Sequence, residues 1–247
     1  IEDSTIKILN TVKENDTIIH VTNQLPKELK SLISVYVDKK ARFDSSCNHT
    51  STHLLHQALR HVLGTHVQQK GSMVSDKYLR FDFSHFEKLN ETQINDVQNF
   101  VNKKIDDHLN LEENRSADYN ECLNNGVIAL FGEKYGDKVR SVKFGSSIEL
   151  CGGTHVKNTS LIKNFIIKSE SAISTGVRRI EAISGVAAKD FLNEKIIPTQ
   201  IAVWCVWLPG VSLVYSMPPL LQLPVAVLIQ CFWVLILTTI NESDSRD

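Results

Sequence analysis

Charge is missing from the C-terminal part of this chain: from Ile196 to Asn241, 46 consecutive residues contain no Asp, Glu, Lys or Arg. Residues 1–195 hold 26 Lys and Arg against 25 Asp and Glu, a near-neutral balance that excludes a strongly basic nucleic-acid arm. A 22% charged and 42% hydrophobic composition over 247 residues excludes a collagen or a disordered tail. The first thirty residues lack the basic-then-apolar pattern of a secretion signal. Cysteine is scarce and odd in number, at 47, 122, 151, 205 and 231, so it does not build the even framework of a small secreted domain. A reducing, cytoplasmic compartment is expected, with cysteine used for metal binding or packing. There is no glycine-rich phosphate loop and no internal repeat. The chain starts at Ile1 without an initiator Met, as a piece of a longer protein would.

Three stretches emerge along the chain. Residues 1–45 are β-rich: Thr17 to Val21 is β-branched, and Leu32 to Phe43 alternates as a half-buried strand ending near Asp44. Residues 46–195 mix helices and strands. Leu54, Leu55, Ala58, Leu59, Val62 and Leu63 recur at three- and four-residue spacing and predict a helix from Asn48 to Leu63, with Gly64 as its stop. Val67 to Phe83 predicts a strand pair, and Thr92 to Leu109 a helix with Ile94, Val97, Val101 and Ile105 on one side. Tyr119 to Leu130 predicts a short helix; Lys138 to Leu150 and Leu161 to Glu181 predict strands. This irregular order points to an α+β fold, a mixed sheet with packed helices, preceded by a small β-rich segment. Residues 196–247 form an uncharged hydrophobic tail.

His49 and His53 stand at i, i+4 on the predicted helix, a spacing that brings both rings to one face. A chance pair is common in a stretch with five histidines between 49 and 66. About a hundred residues on, Cys151-Gly152-Gly153-Thr154-His155 offers a second pair at the same spacing, with glycines that favour a tight turn. Three imidazoles and one thiolate suit tetrahedral zinc better than magnesium or calcium.

Six blocks in order carry a family resemblance: His49 to His56; Leu63 to Ser72; Leu79 to His85; Leu130 to Gly136; Glu149 to His155; and Gly176 to Ala182. Over roughly residues 1–190 the chain resembles the editing domain of alanyl-tRNA synthetase. The freestanding alanyl-tRNA editing proteins share both metal motifs, and threonyl-tRNA synthetase shares the fold. The resemblance implies a zinc-dependent deacylase that hydrolyses tRNA(Ala) mischarged with serine or glycine. An alanine pocket rejects glycine weakly, because one methyl is worth about 1–3 kcal/mol, and a residue that only adds a hydroxyl is also poorly excluded. The family's aminoacylation domain, a partner in the parent synthetase, has no counterpart in this sequence, so the chain is expected not to charge tRNA.

Carried over position by position, the resemblance makes His49, His53, Cys151 and His155 the Zn2+ ligands. Thr52 would recognise the serine hydroxyl, Gln69 would position the ester or the attacking water, and Arg178 and Arg179 would contact the tRNA. Lys134, Lys138, Arg140 and Lys143 form a secondary basic stretch. Asp82 and Glu149 are read as structural partners of Arg80 or the backbone rather than as general bases. The alternative function is a non-catalytic, zinc-stabilised module that binds the tRNA acceptor stem.

The resemblance stops near Lys195. The family continues with a charged helical region, whereas this tail has all three Trp of the chain and a 21-residue uncharged run, Leu220 to Ile240. Its length allows a membrane span, yet Gln222, Pro224 and Gln230 interrupt it and no Lys or Arg cluster flanks it. An out-of-frame or misjoined reading is the preferred account, with a membrane anchor or an aggregation-prone extension as the alternatives.

Overall fold

The apolar spacing around Leu54 and Leu59 closes into a long helix, α1 (Lys39–Leu63), in a computed structural model that describes residues 5–15, 17–27, 32–129 and 135–243. The chain divides into two units, residues 1–38 and 39–247. In the first, β1 (Ile8–Glu14) and β2 (Thr17–Thr22) pair antiparallel across the turn at Asn15. The strand expected from Leu32 to Phe43 is not formed. Residues 32–38 have no regular structure, and Leu32, Ile33, Val35, Tyr36 and Val37 are exposed. Alternation favours a strand only where a neighbouring strand accepts its hydrogen bonds.

From Lys39 the chain is already helical. The first turns carry an i, i+4 pair, Lys40 to Asp44 at 2.9 Å, and no apolar stripe that would announce them. Asn48, expected near the helix start, lies well inside and is buried. Its amide donates to the Ser75 carbonyl at 2.9 Å and its oxygen accepts from Ser184 Oγ at 2.7 Å. The helix ends where expected, at Gly64 with φ +115°, a left-handed conformation that favours glycine.

Two antiparallel sheets follow. β3 (Gln69–Val74), β4 (Leu79–Ser84), β8 (Phe165–Ser174) and β9 (Val177–Ser184) form one in the order β3-β4-β9-β8. β5 (Glu112–Asp118), β6 (Lys138–Phe144) and β7 (Ser147–Leu150) form the other in chain order. α2 (Glu91–Asp106) begins in a reciprocal cap, with Asn90 Oδ1 accepting from the Gln93 amide and the Gln93 side chain accepting from that of Asn90. α3 (Tyr119–Asn124) is shorter than expected, and the Leu130 to Lys134 part of the fourth block lies outside the described residues.

One core joins these elements. Leu54, Leu55, Ala58 and Leu59 from α1 meet Phe81 and Phe83 from β4, Val97, Val101 and Ile105 from α2, and Phe144 from β6. Each fully buried Leu or Phe contributes about 1.5–3 kcal/mol, so α1 is fixed by tertiary packing, and its histidines with it.

After β9 come α4 (Gly185–Phe191), a π-helical turn at Leu192–Ile196, α5 (Ile197–Ser216) and α6 (Pro219–Ser243). α5 and α6 approach at Gly210, where a Cβ would stand 3.1 Å from Ile229. Leu208, Leu220 and Leu228 are exposed. Among the described residues, no helix is long and apolar enough to cross a membrane.

Candidate metal centre

The helical repeat sets His49 and His53 on one face of α1, with ring centroids 5.3 Å apart. The β6–β7 hairpin carries the chain back to that face and releases Cys151 directly after β7. The glycine turn then returns His155, whose ring lies 4.3 Å from His49 and 4.7 Å from His53. One ligand atom from each of the four residues falls within 4.8 Å of every other. Cys151 Sγ is 3.3 Å from His49 Nε2 and 3.4 Å from His155 Nε2. Tetrahedral zinc, with bonds of about 2.0–2.3 Å, would separate its ligand atoms by about 3.4–3.6 Å. The donor chemistry and the two distances at Cys151 Sγ therefore fit a four-coordinate metal.

Burial keeps these imidazoles neutral, the form that binds a metal. It pushes His49 down to about 4 and His155 down to about 2, with neighbouring histidines adding to both shifts. His53 is lowered as well, again mainly by burial.

The nitrogens turned away from the thiol face polar groups of the chain. His155 Nδ1 lies 3.1 Å from Thr50 Oγ1, which also accepts from the Val156 amide at 3.2 Å. His49 hydrogen-bonds the backbone of Thr154. His53 Nδ1 faces Glu149 Oε2 at 3.4 Å, and the other oxygen of Glu149 lies 2.8 Å from His56 Nδ1. Burial opposes the charge on Glu149, yet the His53 and His56 rings hold its carboxyl below the usual range.

Arg140 secures the glycine turn. Its Nη1 donates to the carbonyls of Cys151 at 3.1 Å and Gly153 at 2.5 Å, while Nε and Nη2 donate to Glu113 Oε2 at 2.9 and 2.6 Å. Gly153 N–H points at Cys151 Sγ, 3.4 Å away. A Cβ on Gly153 would fall on the His49 ring, so the second glycine is required by the close approach of that imidazole. Sequence reasoning missed Thr50, His56 and Arg140 as supports, and it gave Glu149 other partners.

The remaining expected site residues are placed less centrally. Thr52 is buried, and its hydroxyl donates to the Asn48 carbonyl one turn back, at 2.9 Å. Gln69 stands on β3, where its amide donates to Ser72 Oγ at 3.1 Å. Arg178 and Arg179 are neighbours on β9 and therefore face opposite sides of the sheet, so they cannot clamp one phosphate together. Arg178 pairs bidentately with Glu170, its side chain 10% exposed. Arg179 is 26% exposed and pairs with Asp82, Nε to Oδ1 at 2.7 Å and Nη2 to Oδ2 at 2.9 Å. Asp82 thus belongs to Arg179, its cross-strand partner, rather than to Arg80. In the secondary basic stretch, Lys143 pairs with Glu112 at 2.9 Å, and Lys134 lies outside the described residues.

Residues 139–181, which include β7, the glycine turn and both arginines, match the family described as threonyl and alanyl tRNA synthetase second additional domain. The chain is 54% identical over 190 residues to the alanine–tRNA ligase of Christiangramia forsetii. This chain is homologous to the alanine–tRNA ligases. Those of Flavobacterium psychrophilum and Cytophaga hutchinsonii are 52% and 50% identical over 191 and 195 residues. Each alignment takes in 77–78% of this chain and 22% of the relative, so the chain spans about a fifth of the length of these ligases.

Proposed function

We propose that the chain is a zinc-dependent deacylase that hydrolyses serine, and secondarily glycine, from mischarged tRNA(Ala). The observation that carries the reading is the convergence of His49, His53, Cys151 and His155 in a fold homologous to alanine–tRNA ligases. A Zn2+ held by His49, His53, Cys151 and His155 would organise the pocket and place positive charge near the ester. Water adds to the ester carbonyl, the bond to the ribose oxygen breaks, and a proton returns to that oxygen. The residues of the chain supply orientation and selection.

Thr52 is the proposed reader of serine. Its proton is committed to the Asn48 carbonyl, so the hydroxyl offers a lone pair to the serine Oγ–H. Alanine would leave that buried acceptor unpaired, at a cost of about 1–3 kcal/mol. Gln69 donates one amide hydrogen to Ser72 and keeps its oxygen for the ester or the attacking water. Arg179, the more exposed of the two arginines, is the proposed phosphate contact, with Arg178 acting mainly on the sheet. A near-neutral domain has little long-range pull on a polyanion. The proposed partners are therefore tRNA(Ala) and the aminoacylation domain of a parent synthetase, which would raise the effective tRNA concentration, in the cytoplasm. The activity is assigned to residues 39–195 and needs nothing from the uncharged tail.

The test is release of labelled amino acid from Ser-tRNA(Ala), Gly-tRNA(Ala) and Ala-tRNA(Ala) by the zinc-loaded chain. Release of serine ahead of glycine, with alanine retained, is expected. A folded, zinc-loaded chain that binds tRNA(Ala) and releases none of the three would make it a binding module and not an enzyme.

A further inference from the structure

Among the described residues, Glu149 is the carboxylate sealed against the metal-ligand cluster. It sits on β7 two residues before Cys151, its side chain is 4% exposed, and its two oxygens are divided between two imidazoles of α1. Oε1 accepts from His56 Nδ1 at 2.8 Å, and Oε2 stands 3.4 Å from His53 Nδ1. His53 Nδ1 is fully buried and makes no hydrogen bond, so the carboxylate is the acceptor the ring faces. His56 is no ligand. It lies one turn beyond His53 on α1, between the carboxylate and the Phe81 ring, whose centroid is 5.3 Å away.

We propose that Glu149 is a positioning residue for the metal centre: bridging His56 and His53, it fixes the Nδ1–H tautomer of His53 and turns its Nε2 lone pair toward Cys151 and His155. The physical reasons are two. A neutral imidazole carries one N–H, and the nitrogen facing a carboxylate is where that hydrogen is favoured, which leaves the opposite nitrogen free to bind a metal. A carboxylate has no hydrogen to offer either ring, so it can accept from both at once. The hydrogen bond from His56 holds it in place. Thr50 does the same for His155 with a neutral hydroxyl; Glu149 adds a formal negative charge, which with the Cys151 thiolate matches the two positive charges of Zn2+.

The inference rests on the zinc reading above, and the test separates the two. Zn2+ affinity of the full chain is measured by chelator competition, and Co2+ is substituted to record the ligand-field absorption, which reports ligand geometry without any turnover. Glu149→Gln is isosteric but has one acceptor oxygen and an amide that donates, so it cannot serve both Nδ1–H groups. It is expected to lower Zn2+ affinity about 10- to 100-fold and to alter the Co2+ spectrum. Glu149→Asp keeps charge and acceptors but withdraws them from His53, and should lose at least about fivefold by the same argument; it decides the matter if the Gln variant does not fold. His56→Leu removes the bond that steadies Glu149 but keeps the carboxylate beside His53 and all four ligands, and should cost less Zn2+ affinity than Glu149→Gln. The proposal is overturned if the Glu149 variants bind Zn2+ within twofold of the unaltered chain with an unchanged Co2+ spectrum, or if His56→Leu loses as much as Glu149→Gln. An unaltered chain that binds no Zn2+ overturns the zinc reading itself, and this one with it.

Discussion

Gly153→Ala is the smallest change that should dismantle the metal centre. Its added methyl would occupy the space of the His49 ring, so that imidazole must rotate out of the four-ligand set. The backbone is not the obstacle, because neither Gly152 nor Gly153 has a left-handed φ. Zinc bound by four such ligands is worth about 10–16 kcal/mol in small zinc-binding peptides, or about 2.5–4 kcal/mol per ligand. Losing His49 should thus weaken Zn2+ binding by roughly two to three decades. The adjacent glycine is an internal control, because a Cβ on Gly152 meets nothing within 4 Å, and Gly152→Ala should bind Zn2+ like the unaltered chain. Chelator competition on the two variants, with circular dichroism to check that both fold, measures the difference. Equal Zn2+ affinity for the two would refute the argument from close approach.

Three further outcomes follow from the same geometry. Burial lowers His49 to about 4 and His155 to about 2, below the usual 6.5, so the unfolded chain binds more protons in acid. The contribution of these histidines to the stability of the metal-free protein should be fully present above about pH 6.5 and be lost progressively as the pH falls, through about 4 for His49 and about 2 for His155; urea unfolding at pH 7.5 and 5 measures this, and equal midpoints would contradict it. Arg178→Ala strands the buried Glu170 carboxylate and should cost about 3–5 kcal/mol of stability, whereas Arg179→Ala, which removes a more exposed partner, should cost less and lower the salt dependence of tRNA binding by about one phosphate contact. In thiol labelling of the native chain, the exposed Cys205 and Cys231 should react first and Zn2+ should protect Cys151. The buried Cys47, which burial pushes up to about 11, should react only on unfolding.

The parts of the site legible in the sequence are those set by local geometry. His49 and His53 follow from the 3.6-residue helical repeat, and Cys151 to His155 from a turn that two adjacent glycines permit. The supports were not legible, because they depend on contacts made across the fold. Thr50 meets His155 over a separation of 105 residues, and His56 meets Glu149 over 93. Arg140 looked like one of a group of basic surface residues, yet two backbone carbonyls and Glu113 turn it inward. The start of α1 was hidden for the opposite reason. Lys39 to Asp44 is a charged, largely exposed stretch, and an exposed first turn needs no apolar stripe. Arg178 and Arg179 are both read from sequence as tRNA contacts; strand alternation sends them to opposite faces of the sheet.

The central claim is that the four converging side chains hold a metal on which ester hydrolysis depends. It is tested most directly by measuring serine release from Ser-tRNA(Ala) before chelation, after chelation and after Zn2+ is restored. Chelation should abolish release, and one equivalent of Zn2+ per chain should bring it back. Release that proceeds at the same rate in the metal-stripped, folded chain would contradict the claim.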